Sequence, residues 1–221
     1  MIIGLIPARS GSSLENKNIR MLGGHPLLAW SVVASLNSGV DMTVVSTDSA
    51  EYAQIAQSYG AETITRPASI CGDEAGDQSY IDHAFKETRA DIMVILRPTT
   101  PLREVMYIDK AVEKFEGEGT LTMRSMHETS EPVFKDYCIK GNAAYPVSEY
   151  NPNMPRQLYP KTYHPNGYVD IIYKGNRLVN VIRPFITPLT PEVDTLEDFE
   201  YIEWRLERHG SQLLEYLRGV S

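Results

Sequence analysis

Met1-Ile-Ile-Gly-Leu-Ile-Pro7 runs straight into Ala8-Arg9-Ser10-Gly11-Ser12-Ser13 and then, past a polar stretch, into Lys17-Asn18. The short apolar run has the length of a strand and is too brief for the core of a signal peptide. A loop of small residues after a strand lets backbone N–H groups close on phosphates, and Arg9 and Lys17 supply positive charge for them. The loop matches neither GxxxxGK[ST] nor GxGxxG. By itself it reads equally well as a plain turn. What favours a ligand is its position, because ligands of parallel sheets bind beyond the carboxyl ends of the strands.

Working outward, strand-like and helix-like patterns alternate. Pro26 to Ser38 has apolar residues at helical spacing, Met42 to Ser46 is a second strand, and Ser49 to Tyr59 a helix stopped by Gly60. Ser79 to Arg89 predicts another helix, Ile92 to Leu96 a buried strand and Tyr107 to Glu116 a helix. Gly167 to Tyr173 and Leu178 to Ile182 predict strands, and a charged amphipathic helix starts near Leu196. Short apolar strands separated by helices imply an α/β, Rossmann-like layered protein with a mostly parallel central sheet. The whole chain, 1–221, is expected to be one domain.

Between Glu131 and Pro165 the pattern breaks. Six prolines and six tyrosines or phenylalanines exclude a regular helix there. A long surface loop is one reading. The preferred one is a protruding arm, 131–165, with short strands of its own, suited to homodimer contacts.

The 221 residues are 42% hydrophobic, enough for a substantial core, and 29 acidic against 21 basic side chains leave a net charge of −8. That balance argues against nucleic acid or an anionic membrane as partner, while leaving room for a local cationic pocket. Cys71 and Cys138 lack metal-ligand spacing, which suggests a reduced, cytoplasmic protein. His25, His83 and His209 read as structural or solvated.

The segments IPARSGSSLENKNI (6–19), VSTD (45–48), RPA (66–68), LRPTTPLR (96–103), PRQ (155–157), PNG (165–167) and EVDTLEDFEYIE (192–203) occur in this order. The ordered set resembles the N-acylneuraminate cytidylyltransferases, or CMP-sialic acid synthetases, and their relatives that activate legionaminic or pseudaminic acid. The resemblance implies a three-layer nucleotide-diphospho-sugar transferase fold and attack of a sugar's anomeric hydroxyl on the α-phosphate of CTP. It also implies that Ala8, Arg9, Ser10, Gly11 and Ser12 hold the triphosphate, with Lys17 and Arg9 as the catalytic cations. Asn18 and Arg66 become nucleoside contacts. Glu192 and Asp194, two apart in an extended segment, become the ligands of Mg²⁺. For Asp194 an alternative is capping the last helix. Arg97, Thr99, Thr100 and Arg103 are placed facing the sugar or shaping its pocket, and His164 lining it. Arg156 and Gln157 match residues that reach a neighbouring active site in a dimer. For Arg103 the alternative is a surface ion pair.

Four departures from the family pattern bear on substrate. A loop lysine is absent at Gly11-Ser12-Ser13, and Arg97 replaces a common glutamine. Asp170 stands in NGYVDII where a tyrosine is usual, and strand alternation is expected to put Asn166, Tyr168 and Asp170 on one ligand-facing side. Asp77, in place of a small hydroxyl residue, can accept from a base amino group or can cap the helix near Ser79. These changes favour a legionaminic- or pseudaminic-type 2-keto acid over N-acetylneuraminic acid. They leave open a nucleotidyltransferase that uses GTP with another sugar or sugar phosphate. The absent lysine leaves open a catalytically silent nucleotide-binding paralogue.

Overall fold

The computed structural model describes residues 1–11, 14–72, 74–178 and 181–219. The strands are β1 (Ile2–Pro7), β2 (Met21–Leu22), β3 (His25–Pro26), β4 (Met42–Thr47), β5 (Glu62–Thr65), β6 (Ile92–Ile95), β7 (Thr122–Glu128), β8 (Tyr137–Lys140), β9 (Ala143–Pro146), β10 (Tyr163–Tyr173) and β11 (Arg183–Ile186). The helices are α1 (Leu27–Leu36), α2 (Ala50–Ser58), α3 (Asp77–Glu87), α4 (Val105–Glu118), α5 (Leu196–His209) and α6 (Gln212–Arg218). Seven strands form one sheet in the order β11-β7-β10-β6-β1-β4-β5. All pairings are parallel except those of β10, which runs antiparallel to both β6 and β7.

Alternation along the central strands builds two cores. Ile3, Leu5, Val44, Met93 and Ile95 pack with Tyr80, Ile81, Ala84 and Phe85 of α3. Ile6, Val45 and Val94 face the other way, into a larger core with α1, α4, α5 and α6. This is the three-layer arrangement expected of short apolar strands alternating with helices. Helix α1 packs against β1, β4 and α6 and is buried on nearly every side, so it is apolar all round. Gly4 permits this close approach, since a Cβ there would lie 2.0 Å from Ser35 Oγ. Ser49 caps α2 by accepting from Tyr52 N–H, and Gly60 follows its end with φ +93°.

Three expectations change. The last strand is β11 at Arg183–Ile186 rather than Leu178–Ile182, and residues 179 and 180 of that expectation lie outside the described residues. Strands β5 and β7 were not expected. The arm ends before 165, because β10 begins at Tyr163 and pairs His164 with His127 of β7. Within the arm, β8 and β9 form a separate two-stranded hairpin that is exposed throughout.

Candidate functional site

The loops after β1, β5 and β6 converge at the carboxyl edge of the sheet on a cleft of about 380 Å³. Its lining includes Arg9, Lys17, Asn18, Arg66, Asp77, Arg97, Thr99 and Asp194. Residues scattered over nearly two hundred positions are thus gathered in one concavity. Lys17 opens a single helical turn (Lys17–Ile19) entered through Asn16, which has a left-handed φ of 53°. Its side chain is buried, donating to Val193 O at 3.1 Å, and stands 3.5 Å from Asp194 Oδ1. Asn18 donates to Arg9 O at 3.0 Å and so fixes the loop's return. Arg9 donates to Cys71 O at 3.0 Å.

The loop backbone does less than the sequence suggests. Ala8 is buried and its N–H donates to Ser46 O, extending the sheet. Ser10 gives its N–H and its hydroxyl to Asp48, each at 2.8 Å. Burial works to raise the Asp48 carboxyl, yet these two donors hold it below its ordinary value. Two of the expected phosphate donors are therefore committed to the fold. Gly11 is exposed, and Ser12 lies outside the described residues.

Arg66 is buried, donates to Ser46 and lies 4.9 Å from the Tyr80 ring centroid. Burial pushes its guanidinium down from the usual arginine value. Tyr80 also lines the cleft and had no assigned role in the sequence. A flat aromatic backed by a cation is a platform on which a base can stack.

Arg97, expected at the sugar, already has protein partners: it donates to Asp77 Oδ2 at 2.6 Å and to Asp170 Oδ2 at 2.7 Å. Arg124 adds a second cation, 3.5 Å from Asp170. Desolvation opposes the Arg97 charge, but Tyr80 and the two carboxylates raise its pKa well above the ordinary value. Burial pushes Asp77 up, and Arg97 more than reverses this. Asp77 is the first residue of α3; the cap position is Gly76, with no side-chain cap, so the capping alternative is not what forms.

Asp170 is fully buried. The simple alternation argument fails because β10 bulges between Pro165 and Asp170, with Gly167 at φ +58°. Asn166 is buried and donates to Thr187 Oγ1 at 2.7 Å, and Tyr168 sits in the core. Arg103 is not a surface ion pair but shapes the site from within. It is buried and donates to Ser31 Oγ at 3.1 Å, Arg97 O at 2.7 Å and Gly167 O at 3.5 Å. Burial lowers its pKa to about 10. Thr100 is buried and donates to Gly167 O, whereas Thr99 faces the cleft. These residues brace the site from behind.

Glu192 and Asp194 flank buried Val193, whose N–H donates to Thr99 O at 2.8 Å. This bond docks the segment on the loop after β6; Asp194 lines the cleft, whereas Glu192 is half-buried and outside the cleft lining. Burial raises the Glu192 pKa, and the charge of Asp194 raises it further. Asp194 does not cap α5. Thr195 does so, in a capping box with Asp198. No set of three or more His, Cys, Asp or Glu that could hold a metal occurs among the described residues. Two carboxylates beside a cationic phosphate site do fit Mg²⁺, which commonly takes one or two carboxylates and completes its shell with water and substrate phosphates.

His164 is exposed and lies beside His127, with ring centroids 5.9 Å apart, outside the cleft lining. Arg156 and Gln157 line a second hollow of about 510 Å³ with Tyr159, Lys161 and Glu128, away from the cleft of their own chain.

A mostly parallel sheet with a cation-lined cleft at its carboxyl edge and acidic residues beside the cations is an α/β fold of the nucleotide-binding type. The chain belongs to the cytidylyltransferase family, whose description "Cytidylyltransferase" matches residues 3–145. It is 36% identical over 186 residues to the N-acylneuraminate cytidylyltransferase of Escherichia coli O18:K1:H7. That alignment covers 80% of this chain and 43% of the relative, so the chain spans less than half of that protein's length. It is 28% identical over 219 residues to the pseudaminic acid cytidylyltransferase of Campylobacter jejuni (strain 81-176), covering 89% of this chain and 92% of the relative. Among solved structures, a CMP:2-keto-3-deoxy-manno-octonic acid synthetase complexed with CTP superposes with a TM-score of 0.74 at 19% identity, covering 94% of this chain and 98% of that one. This last likeness bears on fold.

Proposed function

We propose that this protein transfers CMP from CTP to the anomeric hydroxyl of an acidic nine-carbon 2-keto sugar of the legionaminic or pseudaminic type, in bacterial surface-glycan synthesis. The hydroxyl oxygen attacks the α-phosphorus, the bond to the bridging oxygen of the β-phosphate breaks, pyrophosphate leaves and the hydroxyl proton is released. The observation that carries this reading is the buried Lys17 ammonium, aimed into the cleft between Val193 O and Asp194. A cation held in place before substrate arrives stabilises charge that develops on a transferring phosphoryl group. Arg9 adds charge along the triphosphate. Arg66 and Tyr80 form the nucleoside wall, and Asn18 holds the loop between them.

Glu192 and Asp194 would hold Mg²⁺, which when bound supplies further charge neutralisation at the phosphates. Family membership supports this assignment, and a shared cation would relieve the repulsion between the two neighbouring carboxylates. We further propose a cytoplasmic homodimer in which Arg156 and Gln157 serve the partner's cleft. The exposed hairpin, with Tyr137, Ile139 and Tyr145 in solvent, supports an arm that is covered in an assembly. No helix among the described residues is long and apolar enough to cross a membrane.

The test is the Mg²⁺-dependent shift in melting temperature with CTP, GTP, UTP and ATP in parallel, since a ligand of the native state alone stabilises by mass action. A shift confined to CTP is expected. A shift confined to GTP would replace CTP with GTP and make Asp77 the reader of guanine.

A further inference from the structure

The Asp77–Arg97–Asp170 chain has one fixed end and one loose end. At the fixed end Asp170 is fully buried, with Arg124 3.5 Å away as its second cation. The Arg97 main chain is held too, because its carbonyl accepts from Arg103 at 2.7 Å and from Ser31 at 3.1 Å. At the loose end the Asp77 side chain is 48% exposed and follows the loop that places Gly72 and Ala75 in the cleft wall. The contact that can open at least cost is therefore Arg97 to Asp77. Both of its partners line the cleft.

Resting on the function proposed above, we propose that the Asp77–Arg97 ion pair is a gate shared by the two substrates, and that opening it links their binding. A sugar carboxylate takes a guanidinium edge with two parallel hydrogen bonds. In this structure Asp77 accepts from Arg97 Nη2 at 2.6 Å. Once displaced, the Asp77 carboxylate is an acceptor in need of a donor, and the exocyclic amino group of cytosine is one. The nucleotide approaches the same pair from the Asp77 side. Whichever ligand arrives first bears the cost of separating the pair, and the second binds to a gate already open. Binding linkage is reciprocal, so each ligand tightens the other by the same factor. Asp77 and Arg97 thus act as specificity-determining residues: the pair favours an acid at one end and an amino-bearing base at the other.

The experiment is isothermal titration calorimetry on the full chain with CMP, which has no leaving group and permits no turnover. N-acetylneuraminic, pseudaminic and N,N'-diacetyllegionaminic acids are the sugar probes. In the wild type, saturating CMP is expected to tighten the bound sugar acid by about fivefold or more. In Asp77→Asn the amide keeps an acceptor for the base but removes the charge that holds Arg97. The sugar acid alone should then bind more tightly than to wild type, and CMP should add nothing. A residue with only a structural role would weaken both ligands and leave the coupling factor in place, so that pattern overturns the gate. So does binding of both ligands to the wild type with no coupling. Failure of CMP and of every sugar acid to bind would overturn the proposed function, and the gate with it.

Discussion

Lys17 and Arg97 are both cations of the cleft wall, and their surroundings assign them opposite jobs. Lys17 has backbone and carboxylate contacts that position it without neutralising it fully, since its nearest carboxylate oxygen is at 3.5 Å. Lys17→Met should lower kcat by roughly 10²–10³, the usual loss for one preorganised charge stabiliser, while the circular dichroism spectrum stays unchanged. A change in KM alone would contradict that role. Arg97, in contrast, neutralises a carboxylate that has no access to water. Arg97→Ala should cost about 3–5 kcal/mol in urea unfolding, because Asp170 loses its nearest partner. Adding Asp170→Asn should restore much of that loss; a single variant as stable as wild type would show that the pair carries no weight. Three of the positions at which the sequence departs from its family's pattern are joined through one of them, since Asp77 and Asp170 both accept from Arg97. Their separations of 20 and 73 residues hide this in the sequence. Among the cleft residues, Arg9 and Lys17 were legible as cations around the loop after the first strand, and Asn18 and Asp194 through the ordered motifs that resemble the family. Arg124 and Tyr80, which matter through contacts alone, were not.

Element by element, legibility followed the strength of the periodic signal. Helices α1, α2 and α3 and strands β1, β4 and β6 have uninterrupted patterns, and the structure places them within a few residues of expectation. Strand β7 reads TMRSMHE, with polar residues at most positions, and is recognisable only through its pairing with β10 and β11. The β10 bulge was invisible for the same reason, and it moved Asn166 and Asp170 away from a common ligand-facing side. Gly167 makes the bulge possible: a Cβ there would meet Glu192 Oε2 at 3.3 Å and Thr100 Oγ1 at 3.4 Å, in a left-handed backbone. Gly167→Ala should therefore destabilise by roughly 1–2 kcal/mol and weaken Mg²⁺ dependence by displacing Glu192. Normal stability with normal metal titration would refute this. At α5, the Asp198 carboxyl is held below its ordinary value by hydrogen bonds from Thr195, despite some desolvation. Its contribution is present above the unfolded carboxylate pKa and lost as pH falls through the lower folded value. Thr195→Ala should cost about 1 kcal/mol at neutral pH, and less in acid. An equal cost at both pH values would contradict the capping box.

For the whole molecule, the proposal divides labour between the layered sheet, which carries the nucleotide cleft, and the arm, which carries Arg156 and Gln157 elsewhere. Ile139 is 79% exposed on the hairpin, an unusual position for a large apolar residue unless another surface covers it. Ile139→Asp should convert a dimer to monomers in sedimentation velocity and reduce turnover, with nucleotide binding retained. A wild-type monomer with full activity would remove the arm's proposed role. The account as a whole stands on the transfer itself. Its most direct test is incubation of the full chain with CTP, Mg²⁺ and pseudaminic or N,N'-diacetyllegionaminic acid, with products followed by ³¹P NMR and mass spectrometry. The account predicts a CMP-sugar and pyrophosphate in equal amounts, with CTP as the donor. Formation of a nucleoside diphosphate sugar from a sugar phosphate, or no transfer from CTP to any 2-keto acid, would contradict it.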